Sequence, residues 1–551
     1  MRPQLHSKSP LLDFWESTRL SEVDAFPEPA GGAPGAPGTA GGGTVLAGPG
    51  DTAQEFRTAL AVALGRGCGR RPGTVLAKDG TFVQARSTPS AGALYPFEVL
   101  VGLAPGAGAT PEGGCHLYEI DADRLSPLAT APPVTLGELA AGAGIATEDG
   151  APPRAVVTFA ARPWRSMAKY GRRGYRYTLL DTGHAAVNFA LAARDLGLEP
   201  TVHLRFHRQW VAHALGLTGT CREPQVVVTI AGTSRPAAGG AVDGATGETG
   251  EEPGVRPVWL DRHQARLDPP DDAERRDFEA LRDISLAYGP AASPLPGSSG
   301  SLYAVRAPGA GGSEVSLPPV PRGGGGHAQA MARRESVKGF LPEPVGLPAL
   351  ARLLDGLDAP LDGDFTEPGV GVGVRLVVRD VTGLPAGAYA YGPDARALLP
   401  VGLGEVTETD VLETLQRQAG LRHAAVLVLL HAPLSRVLRE LGRAGLAETH
   451  FHAAHVAQRL CLNAAGDEDT EPVGVTCVGG FDEAHGARLG RLSHDEEIVY
   501  LVALGVPDPN ARKTDRDAIA YSHGRTTVSG DEPSGPSGLP GIAPTGREAA
   551  A

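Results

Sequence analysis

Apolar residues form two patterns in this chain, and both patterns occur in the same order in each half. Short apolar runs rich in β-branched residues predict four strands, at 155–159, 225–232, 424–430 and 498–505. Within each pair of strands, apolar residues at helical spacing predict a buried helix, at 182–193 in the first half and at 453–464 in the second. Strand, helix and strand therefore recur along the sequence.

The two helical segments align as an internal repeat. TGHAAVNFALAA at 182–193 aligns with AAHVAQRLCLNA at 453–464, which places His184 opposite His455 at an offset of 271 residues. Each segment is followed by Glu-Pro, a strand-like segment, an Ala-His pair and a closing strand. This order predicts a duplicated α+β domain whose two copies pack about a pseudo-twofold axis.

Glycine and proline divide the chain into foldable stretches and linkers. The 551 residues include 75 glycines and 48 prolines, and much of this excess lies in four blocks, at 29–50, 233–254, 289–326 and 523–551. These blocks have too few large apolar groups to offset the entropy cost of ordering. We therefore expect an N-terminal segment at 1–50, a first repeat at 51–232, a linker region at 233–326 with a short helix near 271–288, a second repeat at 327–516 and a disordered tail at 517–551.

Charge, hydropathy and cysteine content exclude several classes of protein. A net charge of -13 disfavours nonspecific binding to nucleic acid. The sequence has neither an apolar run long enough to span a membrane nor a secretion signal, so we expect a cytoplasmic protein. The five cysteines are odd in number and form no C-x-x-C pair, which favours reduced thiols over a disulfide framework or a zinc site. No metal is therefore expected.

Two segments of the first half carry a specific family resemblance. ARSTPSAGALYPFEVLV at 85–101 and RPWRSMAKYGRRGYRYTLLDTGH at 162–184 resemble the SagB/McbC-type azoline dehydrogenases, a branch of the FMN-dependent nitroreductase superfamily. In the second half, MARRESVKGF at 331–340, VGGFDE at 478–483 and ARK at 511–513 resemble the double-arginine motif, glycine turn and basic tail of that superfamily. The resemblance implies an α+β fold of two tandem nitroreductase-like domains, each a mostly antiparallel sheet flanked by helices, that form an intrachain pseudo-dimer.

Each half lacks motifs that the other half carries. The first half has no double-arginine motif and has LRFHRQW at 204–210 where a glycine turn is expected, whereas the second half has no PSAGALYP and no Lys-Tyr pair. Two subunits share each flavin in the superfamily. The resemblance therefore implies a single FMN site built from both halves.

The resemblance also assigns site residues. A flavin phosphate requires cationic and hydroxyl donors, which would come from Arg333, Arg334, Ser336, Lys338, Arg512 and Lys513. The backbone would approach the flavin ring closely at a glycine turn, formed by Gly479, Gly480 and Phe481. A first-half loop would pass over the ring with Arg86, Ser90 and Gly92. A solvated basic face, an ordinary turn and a structural loop are the alternative interpretations of these three groups.

Lys169 and Tyr170 are the predicted catalytic pair. A tyrosine is poorly ionised at neutral pH unless a cation lies beside it, and a lysine in an apolar pocket can itself act as a base. The sequence leaves open which of the two takes the proton. Lysine is rare in this arginine-rich chain, which favours a titrating role for Lys169. The alternative is a surface lysine in a basic loop with Arg172, Arg173 and Arg176 that binds peptide or phosphate.

The resemblance implies a dehydrogenase that converts thiazolines or oxazolines of a ribosomally made precursor peptide into azoles. It would act after a cyclodehydratase and pass electrons to dioxygen, in a thiopeptide or related pathway. The reaction removes a proton from one ring carbon and a hydride from the next, so it needs a base and a hydride acceptor. The alternatives are an NAD(P)H-dependent nitro- or quinone reductase and a non-catalytic subunit that binds precursor peptide.

Overall fold

The structure is a computed structural model that describes residues 10–19, 52–76, 82–104, 114–128, 134–145, 151–231, 259–260, 267–283, 313–320, 326–363, 372–466 and 471–511. Three of the Gly/Pro-rich blocks, at 29–50, 233–254 and 523–551, lie outside the described residues, as does most of the block at 289–326.

The helices of the first half and the linker are α1 (Pro10–Ser17), α2 (Thr52–Cys68), α3 (Leu136–Ala143), α4 (Trp164–Tyr170), α5 (Arg173–Asp195), α6 (Arg208–Ala214) and α7 (Asp272–Asp283). Those of the second half are α8 (His327–Arg333), α9 (Leu347–Leu353), α10 (Glu408–Thr414), α11 (Leu434–Ala465) and α12 (Glu483–Leu489). Among the described helices, none has the length and apolar composition that crossing a bilayer requires.

The strands up to the linker are β1 (Arg70–Leu76), β2 (Phe82–Arg86), β3 (Phe97–Leu103), β4 (Gly114–Glu119), β5 (Arg124–Pro127), β6 (Ala155–Ala161), β7 (Pro200–His203), β8 (Glu223–Ile230), β9 (Trp259–Leu260) and β10 (Val315–Ser316). The remaining strands are β11 (Val345–Gly346), β12 (Gly373–Val378), β13 (Val381–Thr382), β14 (Gly387–Gly392), β15 (Ala397–Leu403), β16 (Val426–Ala432), β17 (Gly474–Val478) and β18 (Glu497–Gly505).

Within the described residues, each half has one seven-stranded sheet, and six strands follow the same order in both sheets. The seventh strand differs, because β9 follows the first repeat in the chain and β10 precedes the second. The first sheet runs β7-β8-β6-β3-β4-β5-β9, and the second runs β17-β18-β16-β12-β14-β15-β10. Every pair of neighbouring strands in both sheets is antiparallel except β5 with β9. The predicted α+β fold with two tandem domains is therefore confirmed.

The predicted strands and helices lie where the apolar pattern placed them. Strands β6, β8, β16 and β18 are buried at every position, which explains why they appear as continuous apolar runs and not as alternating ones. The predicted helices at 182–193 and 453–464 lie inside the longer helices α5 and α11. The short helix predicted near 271–288 is α7, and residues 284–288 lie outside the described part of the chain.

The two domains pack through α5 and α11 at equivalent positions of the repeat. A Cβ placed on Gly183 would lie 2.7 Å from the Cβ of Ala454, its equivalent at the 271-residue offset. Beside this crossing, His184 Nδ1 lies 2.8 Å from Gln458 Oε1, and the Gln458 amide donates to Asn188 over 2.9 Å. Contact between equivalent residues is the hallmark of an isologous interface, here formed within one chain.

A kink at the same point of each repeat extends the correspondence. Gly171 separates α4 from α5 with φ 56° and ψ −148°. Gly442, at the same 271-residue offset, bends α11 with φ 57° and ψ −135°. Since only glycine adopts such angles readily, both halves use it to turn the chain into the long interface helix.

Helix α1 lies across the contact between the domains. Its Phe14 and Trp15 are buried, and the Trp15 ring packs under the Arg176 guanidinium at 4.0 Å and against His450 of α11. The Thr18 carbonyl, just after the helix, accepts a 2.6 Å hydrogen bond from Arg173. The N-terminal helix therefore belongs to the folded core of both domains.

Candidate active site

The Lys-Tyr pair and the PSAGALYP loop meet at Gly92. Tyr170, at the end of α4, is buried, whereas the preceding Lys169 is exposed. Gly92 has φ 63°, and a Cβ placed on it would collide with the Tyr170 hydroxyl and lie 3.0 Å from Lys169 Nζ. Both polar tips therefore point to one spot on the loop, and glycine is the residue that leaves room for them.

An aromatic contact joins this pair to the second domain. The rings of Tyr170 and Tyr177 meet edge to face with centroids 5.0 Å apart. The Tyr177 hydroxyl donates a 2.8 Å hydrogen bond to the Gly479 carbonyl, and a Cβ on Gly479 would lie 2.7 Å from the Tyr177 ring. The predicted glycine turn and the predicted catalytic pair thus lie on either side of Tyr177, which the sequence analysis did not single out.

A buried ion pair fixes the glycine turn from behind. Arg173 donates to the Gly479 carbonyl through Nη2 at 2.8 Å and through Nε at 3.1 Å, and its Nη1 contacts Glu483 Oε1 at 2.5 Å. The Arg173 guanidinium also lies 5.0 Å from the ring centroid of the buried Phe481. Because Arg173 and Glu483 are both almost fully buried, removal of either side chain would leave the other as a buried charge without its partner at the turn.

The double-arginine motif forms a cationic cluster around Ser336. Arg334 is buried and donates from Nη1 to the Ser336 hydroxyl over 3.1 Å, while Lys338 Nζ donates to the Ser336 carbonyl over 2.9 Å. Arg334 also donates to the carbonyls of Ser87 and Arg86, at 3.1 Å and 2.8 Å. Two cations and a hydroxyl converge here, and the cluster ties the second domain to the strand that enters the PSAGALYP loop.

Other predicted residues lie at the edge of this cluster. The Arg333 side chain is exposed, and its carbonyl accepts a 3.1 Å hydrogen bond from Arg71, a residue that the sequence analysis missed. The Arg86 guanidinium lies 4.2 Å from the centroid of the Tyr95 ring and 3.6 Å from Asp121. Arg512 and Lys513 lie outside the described residues.

Ser90 faces a buried carboxylate of α5. Its hydroxyl donates to Asp181 Oδ2 over 2.6 Å and accepts from the Tyr95 amide over 2.8 Å. Burial raises the pKa of Asp181 to about 7, although the hydrogen bond from Ser90 acts in the opposite direction. The Ser90 hydroxyl therefore has a partner on each side within the protein.

Two stretches of chain connect the cationic cluster around Ser336 to Tyr170 and Tyr177. Ser336 forms a parallel β-bridge with Val475, and β17 then leads to Gly479. On the opposite side, the Arg86 and Ser87 carbonyls bound by Arg334 lead into the loop that ends at Gly92. At about 3.3 Å per residue, the four residues from Val475 to Gly479 span about 13 Å. The site thus has a cationic end and an aromatic, glycine-lined end.

The residues that correspond to Tyr170 and Tyr177 in the second half have different chemistry. The 271-residue offset places Leu441 opposite Tyr170 and Glu448 opposite Tyr177. The Glu448 carboxylate pairs with Arg205 at 2.8 Å, in the segment that replaces the glycine turn. Arg443 pairs with Glu223 nearby. The second half therefore has the ion-paired carboxylate of Glu448 at the position where the first half has the aromatic ring of Tyr177.

All five cysteines lie in the described residues and are free thiols. Cys461 and Cys477 lie next to each other, with their sulfur atoms 3.7 Å apart, behind the cationic cluster. Residues 450–455, HFHAAH, lie in α11. There His450 contacts the Leu446 carbonyl, and His455 accepts a hydrogen bond from Arg459, both within the helix. These contacts stabilise the helix.

Comparison with known proteins assigns the chain to a family. The model of the nitroreductase family matches residues 79–232 and 331–506, more than half of the chain, so the protein belongs to the nitroreductase family. Members of this family are oxidoreductases that typically bind a flavin. The resemblance stated from the sequence motifs is confirmed.

Individual relatives match between 26% and 91% of this chain. Microcin B17-processing protein McbC from Escherichia coli is 30% identical over 144 residues, which are 26% of this chain and 52% of that protein. The chain thus spans about half the length of this curated relative. A nitroreductase-like protein from Anabaena variabilis ATCC 29413 superposes with a TM-score of 0.66 at 20% identity, over 91% of this chain and 100% of its own. The Escherichia coli microcin synthetase McbBCD complex with truncated pro-MccB17 aligns over 33% of this chain and 64% of its own, with 23% identity and a TM-score of 0.27.

Proposed function

We propose that this protein is an FMN-dependent dehydrogenase that oxidises thiazolines or oxazolines of a ribosomally made peptide to thiazoles or oxazoles. The observation that carries the proposal is the meeting of Lys169 and Tyr170 with Gly92 on one side and, through Tyr177, with Gly479 of the other domain. A relative whose name concerns microcin B17 processing supports a peptide as the substrate. The protein would work in the cytoplasm beside a cyclodehydratase.

The chemistry of the donor set fits a flavin mononucleotide. Arg334, Ser336 and Lys338 supply the charge and the hydroxyl that a phosphate requires, and Arg333, Arg512 and Lys513 are further proposed contacts. At the other end, Gly479, Gly480 and Phe481 would hold one edge of the ring, while the loop with Arg86, Ser90 and Gly92 would close the other. Bound FMN would supply the hydride acceptor and pass the electrons to dioxygen.

Lys169 and Tyr170 would remove the proton. The Tyr170 hydroxyl and Lys169 Nζ both adjoin Gly92, so an ammonium group lies near the phenol. A cation beside a phenol stabilises the phenolate, so Lys169 would assist Tyr170 as the base. In the reaction, one azoline carbon loses its proton to this pair, the C–H electron pair forms the new ring double bond, and the neighbouring carbon loses a hydride. The pair offers two adjacent proton acceptors, the Lys169 amine and the Tyr170 phenolate.

We also propose that the two domains share a single FMN site. The charged pair Glu448–Arg205 at the pseudo-symmetric position lacks the aromatic and glycine contacts of the first position. This asymmetry supports a pseudo-dimer with one FMN, in which the second domain holds the phosphate and the first contributes the catalytic pair.

Substitution of the catalytic pair tests the function. The wild type, K169M and Y170F should each be incubated with an azoline-bearing peptide, and the loss of two hydrogen atoms per ring should be followed by mass spectrometry. We expect both variants to keep their flavin and to lose at least about a hundredfold in kcat, the lower end of the contribution of a general base. Y391F removes a tyrosine hydroxyl that bonds the Leu354 carbonyl in the second domain, and should retain full activity.

Three results would contradict the proposal. The first is full azoline oxidation by both K169M and Y170F. The second is a wild-type protein whose flavin is bleached rapidly by NAD(P)H while the peptide stays unoxidised, which would indicate a nitro- or quinone reductase. The third is a purified protein that retains no flavin, which would indicate a peptide-binding subunit.

A further inference from the structure

The PSAGALYP loop has a strained backbone. Gly92, Ala93 and Tyr95 have φ values of 63°, 57° and 45°. Alanine and tyrosine rarely adopt this left-handed region, so the surrounding structure must hold them there. The loop also approaches Lys169 and Tyr170 closely at Gly92. The strained backbone of this loop therefore determines where Gly92 lies relative to Lys169 and Tyr170.

One buried carboxylate anchors this loop from below. Asp181 of α5 accepts from the Ser90 hydroxyl at 2.6 Å, and both of its oxygens lie 3.3 Å from the Ala91 amide nitrogen. The Ser90 oxygen in turn accepts from the Tyr95 amide at 2.8 Å, which closes the loop on itself. Asp181 thus holds both the first turn of the loop and, through Ser90, Tyr95 near the end of the loop.

We propose that Asp181 is a positioning residue, which holds the strained loop against Lys169 and Tyr170 so that the pair keeps its reactive geometry. The inference rests on the proposed function. Asp181 bonds the loop and not the pair itself, so its effect passes through the loop. An aspartate suits this place because both groups facing it are donors, and a carboxylate is an acceptor at each oxygen.

The surroundings of Asp181 make it sensitive to pH. From the loop it faces Ser90 and Ala91. From β18 of the second domain it faces Tyr500, whose pKa is raised by burial first and then by the charges of Cys477 and Asp181. His184, one turn further along α5, contacts the Tyr500 hydroxyl at 3.3 Å. Lys169 and Tyr170 lie across the loop. Burial raises the pKa of Asp181 to about 7.

Asp181→Asn tests the anchor with a side chain of equal size. An amide presents one acceptor and one donor, so either Ser90 or Ala91 would face a second donor. We expect faster hydrogen exchange over residues 90–96, at least a tenfold fall in kcat with KM within twofold, and loss of the acidic limb near pH 7 from the kcat profile. D195N, at the other end of α5, should change neither loop exchange nor kcat.

Unchanged loop exchange in D181N, or an equal fall in kcat for D195N, would overturn the proposal. If D181N does not fold, Ser90→Ala removes the same anchor from the loop side and is expected to speed exchange over 90–96 in the same way. D181E, which restores the acceptors, should recover part of kcat. A wild type without azoline oxidation would remove the proposed function, and the exchange measurement would still decide the role of Asp181.

Discussion

The Tyr177 hydroxyl of the first domain donates a 2.8 Å hydrogen bond to the Gly479 carbonyl of the second. The same carbonyl accepts from Arg173, which pairs with the buried Glu483. Through this one oxygen, the glycine turn of one domain is locked to the helix that follows the Lys-Tyr pair of the other. The two motifs are therefore held together by direct contact between the domains.

Gly479→Ala should disrupt this contact. An added Cβ would lie 2.7 Å from the Tyr177 ring, a distance that requires the ring or the turn to move. We expect at least tenfold weaker flavin binding, measured by flavin fluorescence during titration. Gly392→Ala is the matched control, because its Cβ would lie at an ordinary distance of 3.8 Å from the nearest neighbouring atom. Equal flavin affinity in both variants would show that close approach at Gly479 is not needed.

Flavin stoichiometry should be one per chain. The position equivalent to Tyr177 carries Glu448, and its partner Arg205 occupies the segment that replaces the glycine turn. The flavin released by denaturation should be quantified by absorbance and compared with the protein concentration from amino-acid analysis. Two tightly bound flavins per chain would contradict the single-site arrangement.

Arg334→Met should destabilise the protein, whereas Arg333→Ala should not. Arg334 is buried and bonds the Arg86 and Ser87 carbonyls across the domain contact, so its loss leaves two carbonyls without these donors. We expect a fall of about 2–4 kcal/mol in the free energy of unfolding, since each lost charged hydrogen bond costs about 1–3 kcal/mol.

The exposed Arg333 serves as the matched comparison. A surface substitution usually changes the free energy of unfolding by about 0.5 kcal/mol or less, and urea denaturation would separate the two variants. If Arg333 contacts the flavin phosphate as proposed, R333A should weaken flavin binding at nearly wild-type stability. Equal stability of R334M and R333A would contradict the bridging role of Arg334.

Asp181 should make stability depend on pH. Burial raises its pKa from an ordinary value of 3.8 to about 7, so between those values the unfolded chain carries the ionised group while the folded protein keeps the proton. The free energy of unfolding should therefore fall as pH rises across this window and level off above it. D181N should lack this component. The wild type and D181N have the same buried histidines, so the difference between their free energies of unfolding at each pH, measured by urea denaturation, isolates the contribution of Asp181. An equal pH dependence of the free energy of unfolding in the two proteins would contradict the raised pKa of Asp181.

Local sequence pattern was sufficient to predict the duplicated fold. The central strands are buried on every face, so their apolar runs stand out, and the repeat places Gly171 opposite Gly442 with nearly equal backbone angles. The motifs for the glycine turn, the double arginine and the Lys-Tyr pair were also visible in the chain. The helix α5 was predicted too short because its first turns carry polar residues, among them Arg173 and Arg176, whose burial depends on the other domain.

The sequence by itself determined the repeated order of strands and helices and the residue types available for a flavin site, because these depend on hydrophobic periodicity and local chemistry. Only the tertiary structure decided which residues meet. Tyr177 bridges to Gly479, Asp181 lies under Ser90, and Arg334 spans the domain contact, each across many residues of chain. Polar groups far apart in sequence become partners only when folding removes them from water, since burial then makes each hydrogen bond between them necessary.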